Sequence, residues 1–333
     1  MDTGAEQVTL AAIRETTDRL SPHVMRTPLV EIKSPVFNGV LDAGSLHLKL
    51  ECFQHTGTFK ARGALSNVLS LTDDERARGI TAASAGNHAI AAAWAAQTAG
   101  ISAKVVMQNT ANPFRVARAR SFGAEVVLKN PGPETFAEAE RLARDEGRSF
   151  VHPFDGVRTV LGTAGVGLEM MEQMAKLDAV IVSIGGGGLI SGIAAAVKSV
   201  NPACQVYGVE PTGAACMSDT LASGAPVSHA KVQTIADSLG APMTLPLGHA
   251  LCTAYVDEVV TISDDEICAG MVLFQEEAKL AVEPAAGAAL AALVGPLKER
   301  LHSCNVGVVV CGSNIDAGTY AQQLARGKAH LED

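Results

Sequence analysis

Four stretches of this 333-residue chain carry residue types that could do chemistry. They are a lone lysine in QHTGTFKARGALSN (54–67), four consecutive glycines in SIGGGGLISGIAAAVK (183–198), the small-residue run ASAGNHA (83–89) and a cysteine in VVVCGSNID (308–316). In the first, Ala61, Ala64, Leu65 and Val68 recur at i, i+3, i+4 and i+7, which predicts an amphipathic helix with Thr58 as N-cap and Lys60 in its first turn. A cation there faces the positive pole of the helix, unfavourable by about 0.3–1 kcal/mol, and the neutral amine is favoured. That suits a nucleophile, although a solvated surface lysine fits the same pattern.

The four glycines follow a strand-like run and open a helix. Backbone N–H groups there can close on a ligand with no Cβ in the way, and the helix N-terminus adds partial positive charge, so the stretch reads as a phosphate cradle. A tight turn explains one or two glycines, not four. A dinucleotide site is a second reading, because Glu210 follows at the separation of a ribose-binding acid, but GxGxxG fails in every register, with Ile190 or Ser191 at the last position. In ASAGNHA the small residues before Asn87 leave N–H groups open to a carboxylate and the Asn87 amide can donate to a phenolate oxygen; an ordinary helix cap is the alternative. Cys311 ends a buried strand, where parallel sheets place ligands.

These stretches need elements to position them. Strand-like runs at 46–51, 79–84, 103–108, 124–128, 179–184, 205–210 and 306–310 alternate with helical ones, predicting a parallel α/β arrangement. Asn112 and Pro113 start one helix, the SDDE of 263–266 is a capping box, and EPAAGAALAALVG begins an Ala-rich helix. Residues 79–155 read as a sheet of their own, with the remainder pairing into a second and the ligand between them. The polar tail GKAHLED is expected to be disordered.

Hydrophobic residues make up 47% but aromatics only 4%, so Ala, Val, Leu and Ile must pack closely around 32 glycines, as helices on parallel sheets do. The net charge of −9 offers no basic face to nucleic acid, and no apolar run approaches the roughly 18 residues that span a bilayer. Seven cysteines without CxxC spacing fit a reducing compartment, and a cytoplasmic location is expected.

A phosphate cradle, a lysine at a helix start and a carboxylate nest are together what pyridoxal phosphate chemistry on amino acids requires. The chain resembles the fold-type II pyridoxal phosphate enzymes of the serine/threonine dehydratase and serine racemase family. The match runs through TPL (27–29), LKLECFQHTGTFKARGA (48–64), SAGNH (84–88), HPFD (152–155), GGGGLISG (185–192), EP (210–211), TIAD (234–237), EPAAG (283–287) and CGSN (311–314). It implies two open parallel-sheet domains wrapped by helices, a tryptophan synthase beta-like fold with the cofactor in the cleft. Residues 1–55 and 156–333 would form the large domain and 56–155 a small mobile one, with no regulatory domain; a homodimer is usual for the family.

The resemblance further implies that Lys60 forms the Schiff base and Phe59 packs on the cofactor ring. The backbone of Gly185, Gly186, Gly187, Gly188 and Leu189 would take the phosphate, and Asn87 the phenolic oxygen. Ser84, Ala85, Gly86, Asn87 and His88 would hold the substrate carboxylate, and Cys311 would sit beside the pyridine nitrogen. A thiol cannot stabilise a protonated ring as a carboxylate would, which favours elimination over transamination. The implied activity is dehydration of L-threonine, L-serine or another 3-hydroxy amino acid to a 2-oxo acid and ammonia. Racemases of the family use a serine base where Ala85 stands, and an alanine cannot relay a proton, so a dehydratase is preferred, with a racemase or a 3-hydroxyaspartate dehydratase as the alternatives. Glu210 and the Ala214 carbonyl match the family's cation site but Cys216 replaces its aspartate, which leaves a divalent or monovalent cation open. Ser238 after TIAD and GTAG (162–165) in place of GQGT are departures expected to reshape the substrate side.

Overall fold

The computed structural model describes residues 3–84 and 86–332. Among these, ten strands run in chain order as β1 (Leu29–Ile32), β2 (Ser45–Lys49), β3 (Ile80–Ala83), β4 (Ala103–Gln108), β5 (Glu125–Lys129), β6 (Ser149–Phe150), β7 (Ala179–Ser183), β8 (Gln205–Pro211), β9 (Glu258–Ile262) and β10 (Asn305–Val309). They form a four-stranded sheet ordered β5-β4-β3-β6 and a six-stranded sheet ordered β1-β2-β10-β7-β8-β9. The strands of the small sheet come from one continuous segment, whereas the large sheet takes strands from both ends of the chain.

All pairings are parallel except β1 with β2, registered Leu29 to Lys49. This antiparallel edge is an addition to the parallel arrangement that the strand and helix alternation predicts. β1 lies at an edge with its middle residues exposed, and an antiparallel edge strand needs no helical crossover. The central strands read as unbroken apolar runs because helices cover both faces: every residue of Ala179–Ser183 is buried. The short β6 and the half-exposed β9 have too weak an alternation to stand out in the sequence.

Each sheet has its own core. Leu46, Leu48, Val180, Ile181, Val306 and Val308 centre the larger one. Val105, Met107 and the fully buried face of the helix Asn87–Ala99 centre the smaller. Burying each such aliphatic side chain contributes roughly 1.5–3 kcal/mol. The caps at Asn112 and Ser263 form as their sequences predict, the latter with reciprocal bonds to Glu266. The tail does not: residues 327–332 complete the helix Ala317–Glu332, which docks on the helix Asp264–Glu277, and Asp333 lies outside the described residues. A Cβ at Gly327 would meet the Cys268 carbonyl oxygen at 2.2 Å, so this glycine permits the close approach, and Arg326 pairs with Asp265 at 2.6 Å.

Candidate active site

The helix Lys60–Val68 starts at the lysine itself. Thr58 is not its cap, as the sequence suggested. Its buried hydroxyl instead donates to the Cys311 carbonyl at 3.1 Å and the Phe59 N–H to the same oxygen at 3.1 Å, so pairing with the end of β10 has displaced local capping. Residue 60 is thereby tied to Cys311, 251 positions away in the chain. The Lys60 Nζ donates to the Pro153 carbonyl at 2.5 Å and lies 5.1 Å from the centroid of the Phe59 ring. Burial lowers its pKa to about 8, against the opposing pull of Cys311 and Glu283.

The orientation of that helix is set by a buried ion cluster on its far side. Arg62 makes bidentate contacts to Glu51 (2.8 and 2.8 Å) and to Glu169 (2.7 and 3.0 Å). Lys49 places its three protons on Glu169 (2.5 Å), the Thr27 carbonyl (2.7 Å) and Gln173 (3.0 Å). Two cations face two carboxylates, all buried. Burial pushes the Glu51 carboxyl up, and Arg62 overrides it to hold the group below the usual range. Residues 60 and 62 point to opposite faces of the helix, so anchoring Arg62 in the core turns Lys60 to the cleft.

The glycine loop faces the lysine across this cleft, which is lined by Phe59, Lys60, His88, Pro153, Thr163 and Gly188. Gly187 has φ +94° and caps the helix Gly188–Val200 without any side-chain bond. Among the described residues nothing accepts the backbone N–H groups of Gly186, Gly187, Gly188 or Leu189. A Cβ on Gly186 would sit 2.2 Å from the Phe154 ring and one on Gly188 2.4 Å from the Phe154 carbonyl oxygen, so side chains here are excluded on packing grounds as well. Unpaired donors at a helix start, facing an amine of lowered pKa, fit pyridoxal phosphate: a phosphate for the loop and an aldehyde carbon for Lys60.

The four residues of the GTAG departure are buried in the helix Val157–Gln173, where Thr163 Oγ1 donates to the Gly188 carbonyl at 2.8 Å and Gly162 abuts Gly63. They pack the lysine helix against the glycine-loop helix, and Thr163 also lines the cleft. Ser238 does reach the site, its carbonyl beside Gly185 and its Oγ 3.5 Å from Glu283.

Asn87 Nδ2 donates to both oxygens of the buried Glu283 (2.8 and 2.9 Å), and its Oδ1 accepts from Asn314 Nδ2 at 2.8 Å. Burial raises the Glu283 pKa, with Arg115 and Asn87 opposing. Gly86 N–H is taken by Ser84 Oγ at 3.0 Å, while the N–H groups of Asn87 and His88 have no acceptor among the described residues. Ala85 lies outside the described residues. The His88 ring turns away to the Val151 carbonyl (2.8 Å), and burial drops its pKa to about 3, so it is neutral and donates through Nε2. Cys311 is buried and its thiol pKa is raised well above the ordinary value by desolvation, which keeps it neutral.

Glu283, Asn314, Arg115 and the Arg62 cluster were not singled out by sequence reasoning. Only the EPAAG and CGSN motifs pointed to the first two. Glu210, the acid considered for a ribose or a cation, accepts from Met217 N, Ser218 N and Ser218 Oγ at 2.7–2.8 Å. It thus caps the helix Cys216–Ser223 with both oxygens. Among the described residues no group of three or more His, Cys, Asp or Glu is placed to hold a metal, and no helix is long and apolar enough to cross a membrane.

Comparison with known proteins agrees with this geometry. Residues 20–312 match the model of the pyridoxal-phosphate dependent enzyme family. The chain is 51% identical to a phenylserine dehydratase of Ralstonia pickettii over 96% of its own length and 97% of the relative's. It is 36% identical to an L-threonine ammonia-lyase of Thermotoga maritima, over 96% and 79%. The structure of maize serine racemase superposes with a TM-score of 0.89 at 32% identity, covering 98% of this chain and 99% of that one. The chain belongs to the pyridoxal-phosphate dependent enzymes, in the fold-type II serine/threonine dehydratase and serine racemase family.

Proposed function

We propose that this protein is an ammonia-lyase that converts 3-hydroxy amino acids to 2-oxo acids and ammonia, and that its preferred substrates carry an aryl group on C3, as 3-phenylserine does. The observation that carries the activity is the Lys60 amine, held between the glycine loop and the 84–88 loop with a pKa lowered to about 8. When bound, pyridoxal phosphate supplies an electron sink for the pair left on Cα as its proton departs.

The chain's own residues do the rest. Backbone N–H groups of Gly185 to Leu189 would hold the phosphate at the helix N-terminus, Phe59 would pack on the ring, and Asn87, oriented by Asn314 and Glu283, would hold the phenolic oxygen. The loop Ser84–His88 orients the substrate carboxylate through open N–H groups. With the cofactor bound, Lys60 would hold it through its amine and would serve as the neutral base for the Cα proton; a pKa of about 8 keeps a useful fraction neutral near pH 7. The proton taken from Cα would leave with the Cβ hydroxyl as water as the Cβ–O bond breaks, and a second water would hydrolyse the resulting enamine, after tautomerisation to the imine, to the oxo acid and ammonia. Neutral Cys311 would offer a ring nitrogen beside it no carboxylate partner, which would favour early elimination. Residues 1–55 and 156–333 act as the phosphate-holding domain and 56–155 as the domain carrying the carboxylate loop.

The aryl preference is supported by a chain of rings leading to the cleft. Phe154 lies on Gly186, His152 meets Phe154 at 4.7 Å, and Phe150 and Phe136 continue outward at 5.8 and 6.4 Å. Burial lowers the His152 pKa to about 4, so the surface is uncharged. The 51% identical phenylserine dehydratase points the same way. Racemization is disfavoured by Ala85 at the position of the family's second base.

Cofactor-loaded protein mixed separately with L-threo-3-phenylserine, L-threonine, L-serine and 3-hydroxyaspartate should give oxo acid and ammonia in equal amounts. The kcat/KM for phenylserine should exceed that for threonine at least about tenfold, since a matched apolar group adds 1–3 kcal/mol or more. Serine interconverted without ammonia, or no product from any of the four, contradicts the assignment.

A further inference from the structure

We propose that Arg115 is a positioning residue that holds the carboxylate loop 84–88 in place by clasping the small-sheet body onto the CGSN and TIAD segments of the large one. This rests on the proposed role of that loop. Arg115 belongs to the helix Pro113–Ser121, next to the small sheet, and only 11% of its side chain is exposed. Its Nε and Nη2 donate to the Asn314 carbonyl at 3.2 and 2.9 Å, and Nη1 pairs with Asp237. The side chain lies directly over Gly86: a Cβ there would come within 2.7 Å of Arg115 Cδ and 2.8 Å of Nη1.

Asn314 continues the connection. Its amide donates to the Thr56 carbonyl ahead of Lys60 and to Asn87 Oδ1, both at 2.8 Å. One guanidinium therefore touches the loop that would bind the carboxylate and, through Asn314, is linked to Asn87 and to the segment that carries the lysine. From the same helix Asn112 Nδ2 donates to Asp316 Oδ2 at 2.7 Å, a second tie across the same gap. A cation in the first turn of a helix opposes the helix dipole, so local stability does not account for Arg115, whereas a planar fork serving a carbonyl and a carboxylate does.

The single tryptophan reports on this closure. Trp94, on the helix after the carboxylate loop, stacks on His55 of the lysine segment at 5.1 Å and 19°. In cofactor-loaded Arg115→Gln, KM for the amino acid should rise about 10- to 100-fold with kcat within about threefold, the split that marks lost ground-state positioning. Trp94 should become more accessible to acrylamide, with cofactor content unchanged. Arg115→Lys, which can reach only one acceptor, should recover part of the KM and part of the quenching protection. Unchanged KM and unchanged quenching in Arg115→Gln overturn the proposal, as does a loss confined to kcat. Should Arg115→Gln not fold, Asp237→Asn at a half-exposed side chain decides by the same readouts: raised KM and quenching support the clasp, unchanged values overturn it. Quenching needs no turnover, so it decides the clasp even if none of the four amino acids reacts and the ammonia-lyase reading fails.

Discussion

Replacing Lys60 by methionine should slow turnover of any 3-hydroxy amino acid by at least about 10⁴-fold, because in the proposed mechanism the same amine is both the attachment point of the cofactor and the base. The substitution should also stabilise the cofactor-free protein. Folded Lys60 has a pKa of about 8 against 10.5 for an ordinary lysine, so below pH 8 the folded state must hold a proton that its surroundings disfavour. Between pH 8 and 10.5 the unfolded state binds more protons than the folded one, and this cost is relieved as pH rises. The gain from methionine is therefore full below pH 8 and gone above about 10.5. Its size is about 1–3 kcal/mol, the cost of holding a proton on the buried amine less the lost bond to Pro153. Denaturation midpoints of the two cofactor-free proteins at pH 7 and pH 10.5 measure it. A methionine variant that retains activity, or whose stability difference is flat with pH, contradicts the assigned environment of Lys60.

The second large effect lies behind the lysine. Arg62→Met should cost about 3–5 kcal/mol, because Glu51 and Glu169 would remain buried with Lys49 as their only cation. Glu169→Gln should cost less, about 1–3 kcal/mol, since the amide keeps part of the hydrogen bonding to Arg62 and Lys49. Urea midpoints at constant m-value test the ordering. Equal, small losses for the two variants would show that the cluster is not what fixes the lysine helix.

What was legible in the sequence was what is encoded locally. Asn112 before Pro113, the Ser263 to Glu266 box, the alanine helix after Asn87 and the strand before Gly185 each depend on residues a few positions apart, and each forms as read. The glycine loop was legible for the same reason, since its donors come from consecutive residues. Thr58 misled because a local cap competes with a tertiary bond, and Cys311, 253 positions away, won. The tail misled because its polar residues cover the solvent face of a helix whose docking depends on one small residue, Gly327. Arg62 with Glu169, Asn87 with Glu283 and Arg115 with Asn314 are separated by 107, 196 and 199 positions. No periodicity or spacing rule connects such pairs; only the fold does.

In the proposed function one lysine, Lys60, holds the cofactor opposite the glycine loop. Borohydride reduction of the cofactor-loaded protein, followed by proteolysis and mass mapping, tests it directly by fixing the cofactor to the amine that carries it. The added mass should appear on Lys60 alone, in stoichiometric amount. Label on Lys49, Lys104 or any other lysine, or unlabelled Lys60 in a protein that turns over substrate, would contradict the account.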